Sequence, residues 1–136
     1  MIQAGRQMNL TQKASHKILA SYQITDNQQR LALLKEAVTI YPQVFNGYNA
    51  LGYAYLSAGS TMEAIDSFKN AIHFHPDDKA GYFDLAHAFL HHGNKEFCLD
   101  YLRQAIRIDP TAKADLPGNP LFKDILTEPS YQALFK

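Results

Sequence analysis

A period of 34 residues runs through most of this 136-residue sequence. Pro42, Pro76 and Pro110 mark it, because each stands 34 residues from the next. A repeat of this length is typical of solenoids, in which each unit buries its apolar face against its neighbours. The sequence therefore predicts an array of stacked units. The same shift aligns Leu34 with Phe68 and Leu102, Ala37 with Ala71 and Ala105, Tyr48 with Tyr82, Leu51 with Leu85, Tyr55 with Phe89, and Gly59 with Gly93.

Each unit is predicted to be a pair of antiparallel helices, A and B. Apolar residues recur at steps of three and four within 46–58 and 61–74, which is the pattern of an amphipathic helix. Gly59 stands where helix A must end, since glycine adopts the left-handed cap without strain. Ser60 and Glu63 are predicted to form a capping box that opens helix B.

The repeated positions resemble the tetratricopeptide repeat (TPR) signature. The resemblance implies an all-α fold, a right-handed superhelical array of antiparallel helix pairs with about three units and a C-terminal capping helix. The residues that carry it are Tyr48-Asn49-Ala50-Leu51-Gly52-Tyr53-Ala54-Tyr55, Ala64-Ile65-Asp66-Ser67-Phe68, Ala71 and Pro76. The segments that we assign are an N-terminal tail at 1–10, a degenerate first repeat at 11–44, a second repeat at 45–78, a third at 79–112 and a capping segment at 113–136.

Small residues and the two ends of the array complete this interpretation. Gly52 and Ala64 are expected where helices A and B approach most closely, and Cys98 takes the place of Ala64 in the third repeat as a buried packing thiol. Residues 1–10 have no clear pattern and are expected to fray. The apolar residues expected to cap the third repeat are Leu121, Phe122, Ile125, Leu126, Tyr131, Leu134 and Phe135.

The resemblance also implies where a partner binds, because the A helices of TPR arrays line a concave groove. Asparagine amides there can hydrogen-bond to the backbone of an extended peptide. Tyr53 and Phe83 can bury apolar side chains of a partner. We therefore predict a non-enzymatic adaptor or scaffold that binds a peptide or helix of a partner protein. The predicted groove residues are Asn46, Asn49, Tyr53, Leu56, Phe83, Asp84, His87 and His91.

One known TPR activity does not fit the sequence. TPR clamps for the C-terminal carboxylate of heat-shock chaperones need basic side chains in the third A helix, where this chain has Ala80 and Asp84. Asp84 would repel a carboxylate. The corresponding positions of the first A helix are Ser15 and Leu19. We therefore predict that the chain is not a clamp of this kind.

Histidines cluster in the third A helix without forming a metal motif. Asp84, His87 and His91 share one helix face at a spacing that metal sites also use. HExxH is absent and no second motif completes a site, so we predict a polar patch, no metal and no cofactor. Protonation of the His87–His91 pair near pH 6 is a hypothesis for tuning partner binding. His73 and His75 lie near the end of a B helix, and we assign no chemistry to them.

Composition excludes several classes of function. Thirteen basic residues balance thirteen acidic ones, so there is no field of one sign to attract nucleic acid or an anionic membrane. The N-terminus lacks the apolar core of a signal peptide, and no apolar run reaches the roughly 20 residues of a membrane helix. No nucleotide-binding or hydrolase motif is present. We expect a cytoplasmic protein that is not an enzyme.

Three alternatives to the adaptor remain open from the sequence. The first is a small TPR chaperone for bacterial secretion or complex assembly. The second is a TPR module of a larger protein, since residues 1–8 loosely resemble the closing helix of a protein-kinase domain. The third is a homodimer formed through an exposed end of the array.

Overall fold

The computed structural model describes residues 2–125 and 127–135 as helices and turns, and the side chains of 2–9, 124 and 135 lie outside that description. The chain divides into two compact units, Met1–His75 and Pro76–Lys136. The helices are α1 (Ile2–Ser21), α2 (Asn27–Ile40), α3 (Gly47–Ser57), α4 (Thr61–Phe74), α5 (Lys79–His91), α6 (Lys95–Ile108), α7 (Ala112–Asp115) and α8 (Pro129–Gln132), with 3-10 turns at Leu116–Gly118, Pro120–Ile125 and Ala133–Phe135. The all-α fold with helices in adjacent pairs agrees with the prediction.

Four helices form the first unit. α1 packs on α2, α2 on α3 and α3 on α4. Helix α1 begins at Ile2, so residues 2–10 are helical where the sequence predicts a tail. The apolar stripes of α1, α2 and α3 meet in one core cluster, since a single amphipathic helix cannot bury its own stripe. The buried residues of this cluster are Ala14, Ile18, Leu31, Leu34, Ala37, Val38, Val44, Leu51 and Ala54.

The second unit consists of the α5–α6 pair and a C-terminal segment of short helical turns. In place of one capping helix, residues 112–135 form two short α-helices and three 3-10 turns. Their buried side chains are Ala112, Leu116, Phe122, Ile125, Tyr131 and Leu134. Leu121, which was expected to be buried with them, is exposed. Leu126 and the side chain of Phe135 lie outside the described residues.

Glycine and polar side chains end and begin the helices. Gly59 and Gly93 adopt φ values of 79° and 88°, which confirms the predicted left-handed ends of α3 and α5. The predicted capping box at Ser60 is wrong, because the Ser60 side chain makes no capping hydrogen bond. The equivalent residue Asn94 does cap its helix, since its Oδ1 accepts from the Phe97 N–H at 3.0 Å.

Close packing between α3 and α4 explains why position 52 is a glycine. A Cβ atom at Gly52 would lie 2.7 Å from Cδ1 of Phe68, a ring that is fully buried. Ala64 is likewise fully buried. The predicted close approach is therefore confirmed at Gly52.

Cys98 lies in the interior of the second unit. Its side chain is fully buried, as predicted for a packing thiol. Burial raises the pKa of the Cys98 thiol to about 12. The thiolate, which is the nucleophile in cysteine chemistry, is therefore scarce at neutral pH.

An ion pair joins the start of α5 to the end of α6. Lys79 Nζ lies 2.7 Å from Asp109 Oδ2. The Thr111 hydroxyl donates to the other oxygen, Asp109 Oδ1, at 2.6 Å. The bond from Lys79, followed by those from Thr111, lowers the pKa of Asp109 to about 2. In their charged forms, Lys79 and Asp109 therefore link the start of α5 to the end of α6.

The Asp109→Asn variant is expected to lose less stability in acid than the parent chain. A lowered folded-state pKa means that Asp109 stabilises the fold above its ordinary pKa of 3.8, and that this contribution disappears as the pH falls towards 2. Urea unfolding at about pH 5 and about pH 2.5 measures the difference. Asp77→Asn, at an exposed carboxylate, is the control. Equal acid sensitivity of both variants would contradict the assignment.

Candidate functional site

Four of the predicted groove residues lie on or beside α3 in the first unit. Asn46, Asn49, Tyr53 and Leu56 follow one another at steps of three and four, which places them on one side of the helix. Tyr53 is the most open of them, with 36% of its surface exposed. The Tyr53 ring also meets the Phe68 ring edge to face, with centroids 5.1 Å apart. Tyr53 is thus held by the core while it presents part of its ring to solvent.

Asn46 has an unusual backbone for a residue that precedes a helix. It adopts the left-handed conformation, with φ 63° and ψ 13°, and stands at the N-cap of α3 without capping it through its side chain. Its Nδ2 atom donates instead to the Tyr22 hydroxyl at 2.5 Å. The amide therefore joins the α2–α3 loop to the turn that follows α1.

The other four predicted residues lie on α5 in the second unit. Phe83, Asp84 and His87 are half-buried, and His91 is exposed. The ring of Phe83 lies 6.4 Å from that of Phe122, so it contacts the C-terminal segment. This face of α5 thus carries one acidic and two imidazole side chains beside an aromatic ring.

The surroundings of His87 disfavour its charged form. Burial is the main cause that lowers the pKa of His87, and the neighbouring His91 lowers it further. Both causes favour the neutral form of the His87 imidazole. Within residues 2–125 and 127–135, no group of three or more His, Cys, Asp or Glu side chains is placed to hold a metal ion.

An apolar pocket opens in the first unit between α1 and the loop that precedes α3. Its volume is about 340 Å³. Large apolar side chains are exposed around it, above all Phe45, with 76% of its surface accessible. Because none of its lining residues is charged, the pocket favours an uncharged apolar group. The lining residues are Ser15, Ile18, Leu19, Tyr22, Phe45 and Asn46.

Only Asn46 of this pocket is among the predicted groove residues. Ser15 and Leu19 stand at the first-helix positions that correspond to the chaperone clamp, and their lack of charge gave no indication of a pocket. Leu19, on α1, and Tyr22, just after its end, were a usable signal. Both are large and apolar or aromatic but lie outside the stripe of α1 in which Ala14 and Ile18 are buried. Phe45 gave no periodic signal, since it lies in a loop.

Part of the second unit resembles a known protein family. The sequence model of a family described as tetratricopeptide repeat matches residues 80–111, which span α5 and α6. No curated protein matches the chain. Among the described residues, no helix is both long and apolar enough to cross a membrane.

Proposed function

We propose that this chain is a non-enzymatic adaptor that binds a peptide or helix of a partner protein. Residues 80–111 match the tetratricopeptide repeat, and repeats of this type mediate interactions between proteins. The observation that carries the proposal is the apolar pocket of the first unit. Its volume of about 340 Å³ is enough to receive a large side chain of a bound segment. The partner thus supplies an apolar or aromatic residue as an anchor.

The rim of the pocket suits a polypeptide ligand. Ser15, Tyr22 and Asn46 carry hydroxyl or amide groups, which can hydrogen-bond to the backbone on either side of the anchor. Leu19 and Phe45 contribute apolar surface next to these polar groups. Aromatic and apolar anchors surrounded by polar groups are the usual composition of a binding hot spot.

The exposed faces of α3 and α5 offer further contacts for a ligand, each within its own unit. On α3, Asn49 and Tyr53 would contact the ligand next to the pocket. On α5, His87 and His91 offer imidazole groups for hydrogen bonding in the second unit. Neither face has a cluster of basic side chains, so a partner that presents only a terminal carboxylate is a poor match.

The proposal predicts that peptides selected on the chain need the pocket. A random peptide display library would be selected on the wild-type chain alone, and the enriched peptides would then be tested on a Leu19→Ser, Phe45→Ser double variant. The enriched peptides should share an uncharged aromatic or large aliphatic residue. Calorimetric titration should give a Kd about tenfold or more weaker for the double variant, since hot-spot residues contribute more than about 1 kcal/mol each.

A matched control separates the pocket from general surface hydrophobicity. Met62 on α4 is also large, apolar and exposed, with 57% of its surface accessible, but it does not line the pocket. Met62→Ser should leave the Kd unchanged. Asn49→Ala and Tyr53→Ala should weaken binding if the α3 face takes part. Peptides that bind the Leu19→Ser, Phe45→Ser variant as tightly as the wild type would show that the pocket is not the binding site.

A further inference from the structure

Residues 41–46 connect α2 to α3 and carry Phe45 and Asn46 to the rim of the pocket. We propose that His75, at the end of α4, is a positioning residue that holds this loop and thereby fixes the rim. His75 Nε2 lies 3.0 Å from the backbone oxygen of Gln43, across 32 residues of sequence. The role of His75 in binding rests on the proposed function, because the loop that it holds forms part of the same pocket.

The hydrogen bond between His75 and Gln43 can run in only one direction. The carbonyl oxygen of Gln43 can only accept, so His75 must donate from Nε2–H. Both the neutral Nε2–H tautomer and the imidazolium supply this hydrogen. The side-chain amide of glutamine also supplies an N–H donor, which makes His75→Gln the conservative replacement.

The end of α4 is well placed to act on the loop. His75 is the residue after the last helical residue, Phe74, and its backbone N–H donates to the Ala71 oxygen. The ring of Phe74 stacks on Tyr48 in the first turn of α3, with centroids 5.7 Å apart and an angle of 5° between the planes. The last turn of α4 therefore contacts both the start of α3 and the loop before it.

Further contacts hold the loop without fixing the Phe45 side chain. Val44 is buried in the core, and its backbone N–H donates to the Tyr41 oxygen at 3.0 Å. Asn46 bonds to the Tyr22 hydroxyl. Phe45 itself is 76% exposed, so the backbone on either side of it sets where its ring lies. Gln43 is two residues before Phe45, and the bond from His75 therefore restrains the backbone that leads into it.

Loop mobility can be measured in the free protein, because the chain contains no tryptophan. Phe45→Trp introduces a single fluorophore at the rim. Its time-resolved anisotropy reports nanosecond motion, the fast end of the range for loops. Adding His75→Ala should introduce a fast depolarising component, and His75→Gln should remove most of it. His73→Ala, two residues away on the same helix end, should change nothing.

A binding measurement then connects the loop to the pocket. With native Phe45, His75→Ala should weaken binding of a peptide selected on the wild type by about twofold to tenfold, the amount that one hydrogen bond contributes. His75→Gln should restore the Kd. Circular dichroism melting of each variant checks that the fold is retained.

Each outcome supports or overturns the assignment. Anisotropy that is identical for His75 and His75→Ala would overturn it, and this result does not depend on any ligand. A faster loop with an unchanged peptide Kd would overturn the role of His75 in binding. If no peptide needs the pocket, the proposed function fails, while the anisotropy still decides whether His75 holds the loop.

Discussion

Replacing Phe68 with alanine is expected to lower the free energy of unfolding by about 3–5 kcal/mol, the usual cost of deleting a buried aromatic ring. The Phe68 ring is fully buried in α4, where it lies against Gly52 and the edge of Tyr53. Its removal leaves a cavity between α3 and α4 that the two helices cannot close without breaking other contacts. Urea unfolding followed by circular dichroism measures the loss. Met62→Ala, on the same helix but exposed, should change stability by no more than about 0.5 kcal/mol.

A double-mutant cycle tests whether Gly52 and Phe68 are fitted to each other. Gly52→Ala alone should destabilise the fold, since overpacking costs about 1–3 kcal/mol and outweighs a gain of about 1 kcal/mol in helix propensity. In a Phe68→Leu background the smaller side chain leaves room for the new methyl group. There Gly52→Ala should be neutral or stabilising. An equal effect in both backgrounds would mean that the close contact does not limit position 52.

The second large effect is expected at the C-terminal segment, where Phe122→Ala should also lower the free energy of unfolding by about 3–5 kcal/mol. Phe122 is fully buried in the 3-10 turn Pro120–Ile125, and its ring lies 6.4 Å from Phe83 on α5. Truncation would therefore leave a void beneath the repeat. Unfolding in urea gives the size of the effect.

The neighbouring residue provides the control for Phe122. Leu121 is 38% exposed although it is apolar and adjacent in sequence. Leu121→Ala should cost less than about 1 kcal/mol, because little surface leaves contact with the interior. An equal loss of stability in the two variants would contradict the assignment of Phe122 as a core residue.

These core predictions follow from features that were visible in the sequence. The 34-residue period marked the helix pairs, and Gly59 and Gly93 marked the ends of α3 and α5. Gly52 was recognised as a close contact. The helix ends depend on residues near one another in the sequence, whereas Gly52 was identified from its place in the repeat signature.

The sequence did not distinguish two other pairs of similar positions. Ser60 and Asn94 occupy equivalent positions, yet only Asn94 caps its helix. The C-terminal segment buries Phe122 but not Leu121, although both of these adjacent apolar residues were predicted from the sequence to be buried. The choice depends on the orientation of each short turn against the helices that it covers.

The sequence by itself determined the helical pairs, their ends and much of their interior. The tertiary structure alone decided the pocket, because it joins Leu19 and Tyr22, at the end of α1 and just after it, to Phe45 and Asn46 in a loop more than 20 residues later. The bond from His75 to Gln43 spans a similar gap. Helical periodicity repeats every 3.6 residues and carries no information about which loop will reach which helix. That relation exists only once α1 and α3 have packed into their common core and α4 has packed on α3.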